Sequence, residues 1–266
     1  MRRYINTAPK LYPVLVVILA IVLWDAGVRV SRVPVWILPG PGQVLQAMVN
    51  HAALLWHHTQ TTLMEAMLGF AASIALALIL ALLLHYLTWL YQALYPIFIV
   101  SQTIPLIVLA VLLPLWFGWG ILPKILIIIL VCFFPMVINL FNGLQSVDPD
   151  VLDLFRSMGA KRLATFRMVI MPAALPSFFA GMRISATYSI MAAVIGEWLG
   201  AQRGLGYYMT LQQKGPCILF RLAIDRVLAA VAIICILSLL LVKAVDLLEY
   251  LLVPWNRKIY SHQLWQ

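Results

Sequence analysis

Long apolar runs separated by short polar segments constrain this chain more than any other feature of its sequence. A helix of about 20 apolar residues spans the hydrocarbon core of a bilayer, and about six runs approach that length. With 64% hydrophobic and only 10% charged residues, the chain is far more apolar than a soluble domain. These features predict an all-α, polytopic membrane protein with about six transmembrane helices. The runs cover residues 11–24, 62–84, 94–117, 124–140, 175–199 and 227–245.

The net charge of +9 comes from lysines and arginines that are scattered through the polar segments. No basic face interleaved with aromatic residues is present, so nucleic-acid binding is not expected. A basic excess in short loops is instead typical of the positive-inside effect and of attraction to anionic membrane lipid. Both termini are expected in the cytoplasm, and the sign of the charge bias agrees with this topology but does not decide it alone.

Residues that could support enzyme or metal chemistry are sparse and poorly spaced. Cys132, Cys217 and Cys235 form no Cys-X2-Cys pair, and the adjacent His57 and His58 would point about 100° apart on a helix. No Gly-X4-Gly-Lys-Ser/Thr phosphate loop, catalytic triad or paired-carboxylate pattern occurs. We therefore predict no cofactor and no metal site, and a protein that is not itself an enzyme.

One polar segment, residues 148–176, has more internal order than the other loops. Asp148 can cap a helix whose first residue is Pro149. Apolar side chains at i, i+4 and i+7, starting at Val151, share one face of that helix. Gly159 then occupies the position where a left-handed residue ends a helix.

A second short helix is predicted after the glycine. It carries Lys161, Arg162 and Arg167, and we expect Pro172 and Pro176 to close it. Two short amphipathic helices that meet at a glycine between membrane spans are typical of a docking element.

The spacing in this segment is acidic–X5–Gly–X9–aliphatic–X–aliphatic–Pro, carried by Asp153, Gly159, Val169, Met171 and Pro172. It resembles the EAA loop of the permease subunits of bacterial ABC importers, in the branch for nitrate, sulfonates, taurine, and thiamine-pyrimidine or flavin-type compounds. The resemblance implies the type I ABC importer permease fold in the bacterial inner membrane. It also implies a homodimer that works with a separate ATP-binding cassette ATPase subunit and an extracytoplasmic substrate-binding protein.

In that family the loop forms the coupling helix, which fits a groove on the ATPase. This chain departs from the family pattern, because Asp153 replaces the usual glutamate and Leu154-Phe155 replace two alanines. The bulkier Phe155 implies a different fit to the partner, but not a lost loop. The residues that the resemblance assigns to ATPase coupling are Asp153, Phe155, Arg156, Gly159, Ala160, Lys161 and Pro172.

A translocation pathway is predicted from polar residues inside the apolar runs. Gln102 lies in a run whose three prolines, together with the resemblance, predict a kinked, gate-lining helix. Ser185, Tyr188 and Ser189 share one helix face, which should contact protein or water rather than lipid. Glu197 ends the same helix, where a carboxylate should lie near the interface or face the pathway. Tight helix packing is the alternative for both segments.

Three further expectations concern the architecture. Residues 42–58 read as an amphipathic helix along the outer interface. The small residues that recur every fourth position from Gly69 to Ala81 predict close packing against another helix. The whole chain, 1–266, is expected to form a single transmembrane permease domain, with a core over about 60–250 and a cytoplasmic coupling loop over 143–176.

A transport subunit is the leading functional interpretation. The segments Gly196–Ala201 and Gly204–Tyr207 look more like permeases for thiamine-pyrimidine or flavin precursors than those for nitrate, sulfonate or taurine, which stay the alternative. An ion-coupled secondary transporter is the alternative of another class. It would need a coupling charge in mid-span or inverted repeats, and we expect neither in this sequence.

Overall fold

The computed structural model describes residues 8–35, 37–198, 200–213 and 223–256, and these residues form helices joined by short turns without any strand. The all-α prediction is therefore confirmed. The helices are α1 (Ala8–Ser31), α2 (Pro41–Asn50), α3 (Ala52–Tyr86), α4 (Thr88–Thr103), α5 (Leu106–Phe117), α6 (Ile121–Gln145), α7 (Pro149–Ser157), α8 (Arg162–Thr165), α9 (Met171–Trp198), α10 (Leu205–Gln213) and α11 (Ile224–Leu252). A π-helical turn (Phe166–Ile170) joins α8 to α9, and a 3-10 turn (Pro254–Asn256) follows α11.

Five helical segments of the described chain are long and apolar enough to cross a membrane. The pair α4 and α5 is a sixth candidate when its two helices are taken together. The prediction of about six transmembrane helices is therefore confirmed. The five segments are α1, α3, α6, the continuous helical stretch Arg162–Trp198, and α11.

The predicted span over residues 94–117 is divided, because the chain bends by 100° between α4 and α5. Ile104 and Pro105 have extended backbones there, with ψ of 122° and 127°. Proline disfavours the helical conformation in the residue before it and has no N–H to continue the helix, so the predicted kink becomes a break. Pro96 and Pro114, by contrast, lie inside α4 and α5.

The predicted amphipathic helix over residues 42–58 is also wrong, because it is divided between two elements. α2 ends at Asn50, and α3 begins at Ala52 as a helix of 35 residues. The predicted span 62–84 is therefore only the later part of α3. No glycine or proline interrupts α3 before Gly69, so nothing stops the membrane helix from extending into the polar segment.

The described chain divides into two compact units. The first contains the residues up to 57 together with 208–233, and the second contains 58–207 together with the residues from 234 onward. Helices α3, α10 and α11 contribute residues to both units. The hydrophobic core belongs to the second unit, where α6 and α9 are the central pair.

Glycines allow α6 and α9 to approach each other closely. A Cβ on Gly181 would lie 2.8 Å from the carbonyl oxygen of Pro135, and a Cβ on Gly143 would lie 3.0 Å from the Cα of Ala174. Neither helix can therefore accept a side chain at these positions without moving, which fixes their relative placement.

The predicted small-residue packing row on α3 is confirmed. A Cβ on Gly69 would overlap the side chain of Ile128 on α6, and Ser73, Ala77 and Ala81 are fully buried. This row therefore lets α3 lie close to its neighbours in the second unit.

The predicted end of the second short helix at Pro172 and Pro176 is wrong, because both prolines lie inside α9. Helix α8 passes through the π-helical turn directly into α9, and the Met171 N–H donates to the Phe166 carbonyl, five residues earlier. Proline cannot donate to the carbonyl four residues earlier, and this wider turn lies directly before Pro172. Residues 148–176, which were predicted to dock on the ATPase, are called the coupling segment below, and their second half is continuous with a membrane helix.

Candidate coupling, cavity and lock sites

Helix α7 begins with the predicted cap. Asp148 Oδ1 accepts a hydrogen bond from the Asp150 backbone N–H at 3.0 Å, and Pro149 is the first residue of the helix. Asp153 and Arg156 form an exposed ion pair at 2.8 Å one turn later. An exposed pair of this kind contributes little stability, so both groups can re-pair with a partner protein.

The end of α7 has the predicted left-handed glycine. Gly159 has a φ of 76°, and its N–H donates to the Arg156 carbonyl at 3.0 Å. The Ala160 N–H donates to the Phe155 carbonyl at 3.0 Å. These two bonds make a Schellman motif, which satisfies helix carbonyls that would otherwise lack donors.

The outer surface of the coupling segment is apolar and exposed. Leu154, Met158 and Leu163 are 57%, 74% and 65% exposed, whereas Phe155 is half-buried. No residue of α7 is buried. Large apolar side chains that stay exposed beside charged ones indicate a surface that another protein covers.

The structure brings most of the predicted coupling residues together. Pro172 is the exception, because it is half-buried in the first turn of α9 beyond the π-helical turn. Their role in ATPase coupling stays a prediction. The residues that lie together along α7 and the following turn are Asp153, Phe155, Arg156, Gly159, Ala160 and Lys161.

A cavity of about 470 Å³ opens at the bend between α4 and α5, with further walls from α6 and α9. Gln102 Nε2 donates to the Leu130 carbonyl of α6 at 3.4 Å, and the hydroxyls of Ser101 and Thr103 donate within their own helix. The described residues that line the cavity include no Lys, Arg, His, Asp or Glu. The cavity therefore presents neutral hydrogen-bonding groups on apolar walls.

The residues of the predicted polar face of α9 lie in two different environments. Tyr188 is 41% exposed and lines the same cavity as Gln102. Ser185 and Ser189 are fully buried: Ser185 Oγ donates to the Cys132 carbonyl of α6 at 2.7 Å, and Ser189 Oγ donates within α9. The two serines thus pack in the helix bundle, whereas Tyr188 meets open space. A role in transport stays a prediction for all of them.

Glu197, the remaining pathway candidate, is fully buried at the end of α9. Its Oε1 accepts from Thr62 Oγ1 of α3 at 2.7 Å. The backbone N–H groups of residues 204–206 donate, in order, to His58 Nδ1 at 3.1 Å, Thr62 Oγ1 at 2.8 Å and Glu197 Oε2 at 2.7 Å. Such N–H groups at the start of a helix, here α10, have no partner within it. We call Glu197, Thr62, His58 and residues 204–206 the external lock, after the side of the membrane on which the predicted topology places them.

Two glycines of the external lock have no room for a side chain. Gly204 has a φ of 115°, and a Cβ there would overlap the Glu197 carboxyl group. A Cβ on Gly206 would overlap the Val194 carbonyl oxygen. The Gly-Leu-Gly sequence is therefore what allows the backbone to reach the Glu197 carboxylate.

A buried ion pair lies one turn along α3 from Thr62 and was not predicted. Glu65 Oε1 is 2.6 Å from Lys124 Nζ, and the two side chains are 3% and 13% exposed. Lys124 lies in the first turn of α6, so the pair lies towards the end of that helix and not in mid-span. The signal that could have found it is a lone carboxylate within an otherwise uncharged membrane helix.

Ion pairs also join α9 to α11 within the second unit. Arg183 Nε donates to Asp246 Oδ1 at 2.8 Å, and Arg183 Nη2 donates to Glu249 Oε2. These charges therefore pair with one another inside the helix bundle. Across the described chain, no group of three or more His, Cys, Asp and Glu residues is arranged to hold a metal ion.

Helical segments that are long and apolar enough to cross a membrane, an exposed segment between two of them and an uncharged cavity are features of a membrane transport permease. The family model described as "Binding-protein-dependent transport system inner membrane component" matches residues 73–258. The chain belongs to this family and is a multi-pass permease subunit of an ABC importer in the inner membrane. Its relatives are permease subunits of ABC transporters and not enzymes, and ATP hydrolysis belongs to a separate subunit of such transporters.

Several relatives carry names for particular substrates. The formylaminopyrimidine transport permease protein ThiX of Halalkalibacterium halodurans is 35% identical over 252 residues, which cover 93% of this chain and 97% of ThiX. The riboflavin transport system permease protein RibX of Chloroflexus aurantiacus is 36% identical over 242 residues, covering 90% and 87%. The taurine transport system permease protein TauC of Escherichia coli is 31% identical over 229 residues, covering 84% and 81%.

Solved structures confirm the fold. An inward-facing structure of the MetNI methionine ABC transporter matches with a TM-score of 0.62 at 20% identity, covering 75% of this chain and 96% of the matched chain. The predicted ABC importer permease fold is therefore present.

Proposed function

We propose that this permease imports a neutral, hydrogen-bonding ring compound of the thiamine-pyrimidine or flavin type. The observation that carries the proposal is the cavity at the bend between α4 and α5, whose described lining has amide, hydroxyl and apolar groups without a charge. A neutral ring can hydrogen-bond to Gln102 and pack on Tyr188. A sulfonate or nitrate ion would lose hydration in the same cavity without gaining a cation in return.

The names of the relatives support the same substrate class. ThiX and RibX, named for a pyrimidine and a flavin, are 35% and 36% identical to this chain. TauC, named for taurine, is 31% identical. Import of taurine or another sulfonate is therefore the second candidate function.

The energy source in this proposal is a separate ATPase subunit that binds α7. The exposed apolar side chains of Leu154 and Met158 supply a docking surface, and the exposed Asp153 and Arg156 surround it with charge. One such helix per chain is consistent with a homodimer in which each copy binds one ATPase subunit. A substrate-binding protein outside the membrane, as the family's description implies, delivers the substrate. Residues 143–176 and both termini are then cytoplasmic.

Uptake into proteoliposomes tests the proposal. The permease is reconstituted with its ATPase and binding protein, and uptake of riboflavin, formylaminopyrimidine and taurine is measured with ATP inside and the proton gradient collapsed. A parallel series omits the ATPase and imposes a proton gradient. We expect a ring compound to enter only when both partner proteins and ATP are present. Uptake of taurine alone would favour the second candidate, and uptake that follows the proton gradient without the ATPase would overturn the proposal.

The role of the cavity is tested by a matched pair of variants. Gln102→Leu removes the amide from the cavity and should lower uptake about tenfold, the equivalent of one lost hydrogen bond of about 1.4 kcal/mol. Ser189→Ala removes a hydroxyl that is buried outside the cavity, and uptake should stay at the parental level. If Gln102→Leu transports like the parent while Ser189→Ala does not, the pathway follows the buried face of α9 instead.

A further inference from the structure

A second, polar cavity of about 410 Å³ lies between the turn from α5 to α6 and the segment that follows α9. Its described lining carries two cationic side chains, Lys124 and Arg203, and no carboxylate. It adjoins the end of α9, whose 28 residues span about 42 Å from the coupling segment. In the topology proposed above, this cavity therefore opens on the extracytoplasmic side.

The two cations of this cavity differ in their pairing. Lys124 is 13% exposed and is neutralised by Glu65 at 2.6 Å. Arg203 is exposed, and its guanidinium has no ion pair or hydrogen bond with any described residue. The positive charge that is available to a partner is therefore that of Arg203.

The backbone that carries Arg203 is fixed by the external lock. The next three residues, 204–206, each donate a backbone N–H to a side chain of α3 or α9. On the other side, Gly200 has a φ of 75° and lies so close to the Trp119 ring that a Cβ would overlap it. The backbone around Arg203 therefore loses little conformational freedom when the side chain binds a partner.

We propose that this cavity is a docking socket for a surface carboxylate of the extracytoplasmic binding protein, with Arg203 as the cation that receives it. The inference rests on the proposed function for the existence of that partner. A guanidinium binds a carboxylate through two parallel hydrogen bonds, which gives both charge and direction. Trp119, which is 67% exposed beside the cavity, supplies the apolar contact that often accompanies arginine at the centre of an interface.

An acidic protein surface fits the socket better than an anionic lipid headgroup. The family is described as binding-protein-dependent, so a protein must bind at the outer side of the permease. The socket is a concave polar site between two turns, and lipid contact is instead expected along the apolar helices. Lipid binding is therefore the competing outcome of the test.

The experiment measures how ATP hydrolysis depends on the binding-protein concentration, using the complete transporter in nanodiscs of neutral lipid. Arg203→Glu should raise the concentration for half-maximal stimulation at least tenfold, and Arg203→Lys should raise it less, because the charge remains. The control is Arg29→Glu on α1, an arginine expected on the same side of the membrane and 78% exposed. Its half-maximal concentration should equal that of the parent.

Two further measurements, at raised salt and with anionic lipid added, distinguish protein docking at Arg203 from lipid binding. Added salt should raise the half-maximal concentration for the parent but hardly for Arg203→Glu, because screening acts on a pair that the variant lacks. Equal half-maximal concentrations for the parent and Arg203→Glu would overturn the docking socket. So would a difference that arises only when anionic lipid is added to the nanodiscs.

Failure of this inference is separable from failure of the proposed function. If the parent shows no stimulation at any binding-protein concentration, the proposed function fails and the socket fails with it. If the parent is stimulated and Arg203→Glu matches it, only the socket is overturned. Should Arg203→Glu lower ATP hydrolysis even without binding protein, Arg203→Gln decides the outcome by the same criterion.

Discussion

Gly159 and Gly204 both have left-handed backbones, with φ of 76° and 115°, yet their surroundings are opposite. A Cβ on Gly159 would meet no atom within 4 Å, whereas a Cβ on Gly204 would overlap the Glu197 carboxyl group. The coupling segment therefore uses glycine only to turn the backbone and leaves its surface open. The external lock uses glycine to bring a backbone against a buried carboxylate. The first region leaves its apolar and charged side chains exposed, whereas the backbone N–H groups of the second are satisfied within the chain.

The largest effect is expected from Gly204→Ala. The methyl group must displace the Glu197 carboxylate and also adopt an unfavourable φ, which together should lower the free energy of unfolding by about 3 kcal/mol. Gly118→Ala is the matched control, since Gly118 has a φ of 80° but no atom within 4 Å of a Cβ. It should cost about 1 kcal/mol. Thermal unfolding of the purified proteins measures both, and equal losses would mean that crowding at the lock contributes nothing.

Glu197→Ala should have the next largest effect. It leaves the Gly206 N–H buried without its acceptor, and the Thr62 hydroxyl keeps only the longer bond to the His58 carbonyl at 3.3 Å, at a total cost of about 2 kcal/mol. Glu197→Gln keeps one acceptor oxygen and should cost about half as much. Hydrogen exchange of the amides of residues 204–206 should accelerate in the alanine variant, because the lock no longer protects them. Unchanged exchange would show that α10 is held by other contacts.

Gly159→Val should change coupling more than stability. The valine side chain has open space around it, and the left-handed conformation costs it about 1–2 kcal/mol. The protein should therefore still insert and assemble. The same energy is close to a tenfold change in binding, so co-purification with the ATPase and uptake should both fall about tenfold. Asp153→Lys should give a milder defect, because the turn is intact. Parental co-purification and uptake by Gly159→Val would remove the coupling role from this segment.

The smallest functional effect is expected from single cysteines at Ser157 and Gln202, introduced after the native cysteines are replaced. Both positions are exposed, one in the coupling segment and one beside the external lock. Transport should be unchanged, while a membrane-impermeant thiol reagent added to intact cells should label only the cysteine at position 202. Labelling of both positions would place the two regions on the same side of the membrane and break the comparison.

Local features of the coupling segment could be predicted from the sequence. The Asp148 cap, the start at Pro149 and the left-handed Gly159 each depend on residues within one or two turns of one another. The behaviour of the prolines could not be predicted in the same way. Pro105 breaks a helix, whereas Pro172 lies inside one, because the π-helical turn before it supplies the space.

The contacts of the external lock could not be predicted from the sequence, because they join residues that are far apart in the chain. Thr62 and Glu197 are 135 residues apart, and Glu65 and Lys124 are 59 residues apart. Helical spacing indicates which side chains share a face, but not whether that face meets a cavity or another helix. Tyr188 and Ser189 are adjacent in sequence, and only the packing of α6 against α9 separates the exposed tyrosine from the buried serine.

The π-helical turn between α8 and α9 amounts to one extra residue in an otherwise continuous helix. Deleting a single residue from this turn could restore ordinary helical bonding, but every residue before it would rotate by about 100° around the axis of α9. The coupling helix would then point in a new direction relative to the cavity. A substitution along α7 therefore changes the chemistry of this surface, whereas a change of length at residues 166–170 would turn the same surface away from the partner proposed for it.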